Sequence, residues 1–309
     1  MRNTHPHRHL LIRSPRGPDT RRLVRLRRDC FVETHAWDKL SPEDQHLARV
    51  VDVHRSLRGG DSVISHSSAA ALWGLPTWGS TLSRVHVTRA GSSGGRIEQS
   101  RHLHIDALDP RDVTSRHGIA VTTPARAVLD MARICGVEPG VVTGDAAIHQ
   151  GLATMAQVRE CLDRLPRRKG IQQARDAVRL IDGRSESVGE SRSRLVLRTE
   201  GLPIPVLQPL LFDEGGSLIG RADFLLEGQV VGEFDGRIKY GALIRAGDHP
   251  GDVVFREKLR EDAIRDAGWT VVRWTWADLA DPARLGERVR RALERACELP
   301  PPRGTWLPS

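Results

Sequence analysis

The chain is expected to fold as a mixed α+β protein of the α/β class, and three observations predict this. Residues 221–240 read as two adjoining strands of a covered sheet, apolar at Phe224, Leu225, Leu226, Val230, Val231 and Phe234, with a turn at Gly228. Helical patterns flank them at 185–197, 255–267 and 282–297, and a strand pattern fills 270–276. Upstream, 62–76 and 121–132 repeat a grammar of a short strand followed by a capped helix. At 309 residues the chain has room for about two domains at the usual ~100–200 residues each, and each would bury its own core.

In chain order, residues 1–20 lack helical periodicity and are expected to form a disordered Arg-rich arm. Residues 23–32 alternate well enough for a strand or hairpin. The helix within 62–76 is Ala-rich and ends at Gly74. That within 121–132 has a Thr cap, then Pro124 where its missing N–H costs nothing, then a periodic apolar face. Arg164, Arg167, Arg168 and Lys169 lie in a Pro/Gly-marked joint, as a solvated linker or a second phosphate contact. The helix at 185–197 is capped by Ser185 or Ser187, with Glu190 one turn in. At 255–267 the apolar stripe is Phe255, Leu259, Ala263 and Ala267, and the helix stops at Gly268. The expected domains are 21–180 and 184–297, with 298–309 as a tail.

The chemistry concentrates in 221–240. Residues two apart on a strand share a face, which sets Glu233 beside Asp235, and pairing across the hairpin brings Asp223 to the same end. Carboxylates so gathered repel unless a cation sits among them, and a hard divalent ion suits all-oxygen ligands. Solvated strand ends are the plain alternative.

These residues together resemble the PD-(D/E)XK nuclease superfamily, in its very-short-patch-repair-like branch. The matching residues are Glu190, Ala-Asp-Phe at 222–224, Glu-Phe-Asp-Gly at 233–236 and the Gly-Trp-x-Val-Val-Arg-Trp run at 268–274. The match covers about residues 184–297, roughly a third of the chain. The resemblance implies a restriction-endonuclease-like αβββαβ-type domain with a central mixed sheet. It also implies Mg2+ or Mn2+ held by Asp223 and Glu233, support from Glu190, and DNA as substrate. The superfamily's usual lysine two places after the second acid is replaced here by Asp235, which the branch tolerates. The cation would then come from Lys239 or Lys258, two of only four lysines in the chain; ordinary surface lysines are the alternative.

Residues 21–180 resemble the AbiEi-type antitoxin family through 62–76, 85–88 and 121–132, which implies an α/β domain following a DNA-binding winged helix. Only about twenty residues precede Arg21, so 23–32 matches the wing alone and the recognition helix has no counterpart. This resemblance implies a second function, a non-catalytic regulator that binds DNA or a toxin partner. His66 reads as a hydrogen-bonded structural residue at a helix start, and Arg126 as an intrahelical partner of Asp130.

Residues 1–28 hold nine Arg against one Asp, which equals the chain's formal net charge of +8, so the rest is balanced. Such an arm is a phosphate-binding tail, with Arg21, Arg22, Arg25, Arg27 and Arg28 as its nucleic-acid contacts, or else a leader in an Arg-biased chain. No apolar run approaches the ~18 residues that span a bilayer, and no signal-peptide h-region is present. Four scattered cysteines fit neither a zinc motif nor a disulfide framework, so a reducing cytoplasm is expected. His-rich 1–9 would bind metals only adventitiously, and no organic cofactor is implied.

Overall fold

A computed structural model describes residues 9–13, 22–27, 29–57, 61–91, 94–236 and 250–309, with backbone alone at 13 and 250–254. The fold is mixed α+β, in two units, Met1–Gly183 and Arg184–Ser309. Among the described residues no helix is long and apolar enough to cross a membrane.

The first unit opens on a three-stranded antiparallel sheet of β1 (Ile12–Arg13), β2 (Leu23–Arg27) and β3 (Cys30–Glu33), in the order β1-β3-β2. Residues 23–32 thus form the expected hairpin. The arm is a correction, because Ile12 and Arg13 pair with Phe31 and Cys30. Leu10 and Leu11 supply the reason, packing against the small core of Val32, Trp37 and Ala48. The rest of 1–20, outside 9–13, lies beyond the described residues.

Next come α1 (Thr34–Trp37) and α2 (Pro42–Ser56). Helix α2 was not anticipated, although Ser41 caps it by accepting the Asp44 N–H and Pro42 follows at the first helical position. Then β4 (Ser62–Ile64), α3 (His66–Trp73), β5 (Val85–Ala90), β6 (Arg96–Ile97), β7 (Arg101–Asp106), β8 (Val113–Arg116) and β9 (Ile119–Thr122) build a mixed sheet in the order β6-β7-β5-β4-β9-β8. Helix α3 ends at Gly74, whose φ of 75° is the left-handed cap conformation that glycine adopts without a Cβ penalty. Four helices close the unit: α4 (Pro124–Cys135), capped by Thr123, then α5 (Val137–His149), α6 (Met155–Arg164) and α7 (Ile171–Leu180).

The second unit begins with α8 (Val188–Thr199), capped by Ser187 rather than Ser185. Three strands then precede the hairpin, where the αβββαβ pattern implied one: β10 (Val206–Leu207), β11 (Leu210–Phe212) and β12 (Leu218–Arg221). The hairpin is β13 (Phe224–Leu226) and β14 (Val230–Asp235), turning at Gly228 with φ 71°. After it come α9 (Pro250–Asp266), β15 (Thr270–Thr275), α10 (Trp276–Leu279), α11 (Pro282–Cys297) and β16 (Thr305–Leu307). The central sheet runs β10-β13-β14-β15, with β14 and β15 parallel and the other pairs antiparallel. Residues 298–309, expected as a tail, instead give β16, which pairs with β11 while Trp306 packs against a core.

Alternation along β13 and β14 divides the core in two. Phe224, Leu226, Val230 and Phe234 face one cluster with α8 and α11, while Leu225 and Val231 face the other with Ile264 and Ala267. The expected stripe of α9 is corrected in its first half: Phe255 and Leu259 are 62% and 52% exposed, whereas Ala267 is buried. The helix turns Glu257, Arg260, Glu261 and Ile264 inward instead, at i, i+3, i+4 and i+7. A charged half-stripe faces the sheet because the strands opposite carry Glu233 and Arg273, which pair with it.

Candidate functional site

The hairpin register pairs Phe224 with Gly232, and one further step sets Asp223 across from Glu233. Both fall on the α9 face with Leu225 and Val231, and Asp235 follows Glu233 on that face. Asp223 is held by main chain: its Oδ2 accepts the Phe234 N–H at 2.8 Å, and its carbonyl accepts the Gln208 N–H at 3.0 Å.

Glu233 is 14% exposed and accepts from Arg260 Nη2 at 3.0 Å through Oε2, whereas its Oε1 is buried with no hydrogen-bond partner. Burial raises its pKa, the Arg260 guanidinium opposes that, and the nearby charges of Asp223 and Glu257 add to the rise. Arg260 also binds Glu257 at 2.7 Å and the Arg221 carbonyl at 3.2 Å. Arg273, the register partner of Glu233 on β15, reaches Glu257 at 2.7 Å and Glu261 at 3.0 Å. Burial raises the Glu257 pKa, but the two guanidiniums outweigh it and leave it below the ordinary value.

Among the described residues the cation against Glu233 is Arg260 rather than Lys258. Lys258 is exposed and, among the described residues, makes no ion pair; Lys239 lies outside them. Glu190 is 4% exposed and fully engaged, accepting from Ser187 Oγ at 2.7 Å, the Glu186 N–H at 2.8 Å and Gln208 Nε2 at 2.9 Å. Gln208 links it to Asp223, donating from its side chain to Glu190 and from its main-chain N–H to the Asp223 carbonyl. Glu190 and Asp235 do not complete, with Asp223 and Glu233, a set of three ligand atoms within 4.8 Å; among the described residues that closeness belongs to His66, His86 and His104.

Gln208 and Glu257 were missed by sequence reasoning, and Arg260 and Arg273, the latter within the 268–274 run, were given no role at the site. The helical spacing of 257, 260 and 264 was the available signal, whereas nothing local marks Gln208.

Of the expected phosphate contacts, Arg27 is partly buried. It pairs with the buried Asp52 at 2.9 Å and with Asp29 at 3.1 Å. Arg22 and Arg25 are exposed, and Arg21 and Arg28 lie outside the described residues.

Helix α8 approaches the site closely at Gly189, where an added Cβ would collide with the Phe234 ring. Gly189→Ala is expected to destabilise by about 1–3 kcal/mol through overpacking, against a helix-propensity gain of at most ~1 kcal/mol. Urea denaturation measures it, and a variant as stable as wild type would show that the ring moves freely aside.

Two curated relatives, uncharacterized proteins from two strains of Mycobacterium tuberculosis, are each 29% identical over 241 residues, covering 77% of this chain and 83% of theirs. No family model matches the chain. No solved structure matches it.

Proposed function

We propose that the Arg184–Ser309 unit hydrolyses phosphodiester bonds of DNA at the Asp223–Glu233 end of its central sheet, with the assistance of Mg2+ or Mn2+. One observation carries this reading: two carboxylates from adjacent strands share a face, and one of their oxygens, Glu233 Oε1, is buried with no partner. A buried acceptor in that state is costly unless a cation or donor meets it. Magnesium keeps several waters and needs only one or two carboxylates, so Asp223 and Glu233 suffice as its protein ligands. A bound ion there supplies an activated water and polarises the scissile phosphate.

The chain's own groups set the geometry. The Phe234 N–H holds Asp223, Arg260 fixes one Glu233 oxygen and leaves the other, buried one without a donor, and Glu190 with Gln208 anchors the strand beside them. Asp235 is the further acid on the same face. A cytoplasmic setting agrees with four cysteines none of which forms a disulfide, Cys30 and Cys161 among them buried.

Incubating the full chain with single- and double-stranded DNA should give cleavage that requires Mg2+ or Mn2+ and stops with a chelator. Asp223→Ala and Glu233→Ala are each expected to lower the rate by roughly 100-fold or more, the loss that accompanies removal of one preorganised electrostatic group. Cleavage unchanged by Asp223→Ala removes this site from the reaction.

A second reading is favoured by Arg260, whose guanidinium already lies 3.0 Å from Glu233 and supplies a cation without metal. On that reading the unit is a passive platform in an antitoxin-like regulator that binds DNA or a toxin protein. DNA binding independent of divalent ions, with co-purification of a nucleotidyltransferase-type toxin encoded alongside, is its expected signature. Failure of the two proteins to associate on co-expression counts against it.

A further inference from the structure

We propose that His66, His86 and His104 in the first unit form a binding site for a divalent transition-metal ion of the zinc class. The topology brings them together from three separate segments. Parallel pairing of β5 with β7 sets His86 beside His102 and Thr88 beside His104, so these four share one face of the sheet while Val85, Val87 and Leu103 take the other. His66 opens α3 directly after β4, the strand that pairs with the other edge of β5.

Its backbone is unusual, with φ of 53°, a left-handed conformation rare for a residue with a Cβ. That conformation lays its ring on His104, with centroids 3.9 Å apart and planes 22° from parallel. Strain of this kind persists where the surroundings fix it, and it concentrates at ligand sites.

One nitrogen from each of the three rings lies within 4.8 Å of the others, and His86 Nδ1 and His104 Nε2 are 2.9 Å apart. Two imidazoles on a tetrahedral zinc stand ~3.3 Å apart, given Zn–N bonds of ~2.0–2.1 Å, so that pair needs almost no movement. Without an ion a proton is shared across that contact. On binding, the ring that donates it carries the proton on its outer nitrogen instead, so both inner nitrogens present lone pairs and no net proton leaves.

The surroundings suit a metal in two further respects. Burial is the main cause that holds the rings neutral, His66 well below its ordinary pKa, His86 at about 4 and His104 at about 2. Neutral imidazole is the ligating form. Around His66, Nδ1 lies 2.9 Å from Ser65 Oγ and 3.9 Å from Asp130 Oδ2, a buried oxygen with no hydrogen-bond partner. The Ser65 hydroxyl hydrogen-bonded at one ring nitrogen orients the other toward an ion, an outer-shell contact of the kind found at histidine metal sites, while the Asp130 carboxylate stands just beyond hydrogen-bond reach of the same nitrogen. Three nitrogen ligands select zinc, copper, nickel or iron over magnesium and calcium, and leave a fourth position for water or a small ligand.

The test uses the full chain with His5, His7 and His9 changed to Ala, which removes the His-rich N-terminus as a competing chelator. Zn2+ is titrated by calorimetry and Co2+ by its visible absorption. One ion per chain is expected, with affinity lowered ~10-fold or more in His86→Gln and His104→Gln and a thermal shift with Zn2+ that these variants lose. Absence of saturable binding, or equal affinity in the variants, overturns the proposal. Should the variants fail to fold, X-ray absorption of the zinc-loaded parent decides: three imidazoles at the metal support the site, and one or none refutes it.

Discussion

Replacing Arg126 with methionine is expected to destabilise the first unit by about 3–5 kcal/mol, the cost of leaving a buried charge without its partner. Arg126 is 1% exposed and donates to Asp130 at 2.9 Å, Asp106 at 3.0 Å and the Ala107 carbonyl at 3.0 Å, with Asp112 at 3.6 Å. All three aspartates are buried. Burial alone would lower the Arg126 pKa, but the surrounding carboxylates raise it above its ordinary value, so the guanidinium stays charged. Arg133 reaches Asp106 and Asp130, and Arg164 reaches Asp112, so those carboxylates retain a partner after the substitution while Asp130 loses its closest one. Arg126→Met with Asp130→Asn should therefore recover part of the loss, since the double change removes the stranded charge as well. Urea midpoints at unchanged slope measure both. A single variant within ~1 kcal/mol of wild type would mean that Arg133 and water replace the guanidinium in full.

This network also shows where sequence reading stops. The Arg126–Asp130 pair is visible as i, i+4 spacing on a capped helix, and it forms. Asp106 and Asp112 are not, because they arrive from the end of β7 and the turn after it, and only the tertiary path brings them under α4. The His cluster is hidden for the same reason. His86, His102 and His104 become neighbours through a parallel pairing of β5 with β7 that crosses over β6, so no local pattern encodes it.

Local signals fared better. The Gly74 stop, the Thr123–Pro124 start, the Gly228 turn and the 282–297 helix are each settled within a few residues by capping and turn chemistry. Helix periodicity, in contrast, names stripes without saying which one faces inward. In α9 the apolar positions Phe255 and Leu259 were the obvious stripe, yet the charged one turned to the sheet. The error propagated to the candidate site, since it hid Arg260 and left only lysines as sources of positive charge. Asp223 and Glu233 were legible as a pair because hairpin register follows from one turn and strict alternation.

The opposite face of that hairpin carries the second large effect. Trp274→Ala is expected to destabilise the second unit by about 3–5 kcal/mol, as for other buried Trp truncations. The indole is 1% exposed, stacks on Phe224 with centroids 5.4 Å apart, and donates from Nε1 to Ser193 Oγ at 2.7 Å. It lies against Gly232 so closely that an added Cβ there would collide with the ring. Phe224 follows Asp223 and Gly232 precedes Glu233, so the cavity left by truncation opens beneath both carboxylates at once. Trp274→Phe keeps most of the apolar contact but removes the donor to Ser193 Oγ, which still donates to the Gly189 carbonyl, and should cost less, about 1–3 kcal/mol. If cleavage depends on these carboxylates, Trp274→Phe should lower its rate although no side chain at the site has changed. A loss in Trp274→Ala below ~1 kcal/mol would mean that α8 and α11 collapse into the space, and the indole would then not be what supports the strands under Asp223 and Glu233.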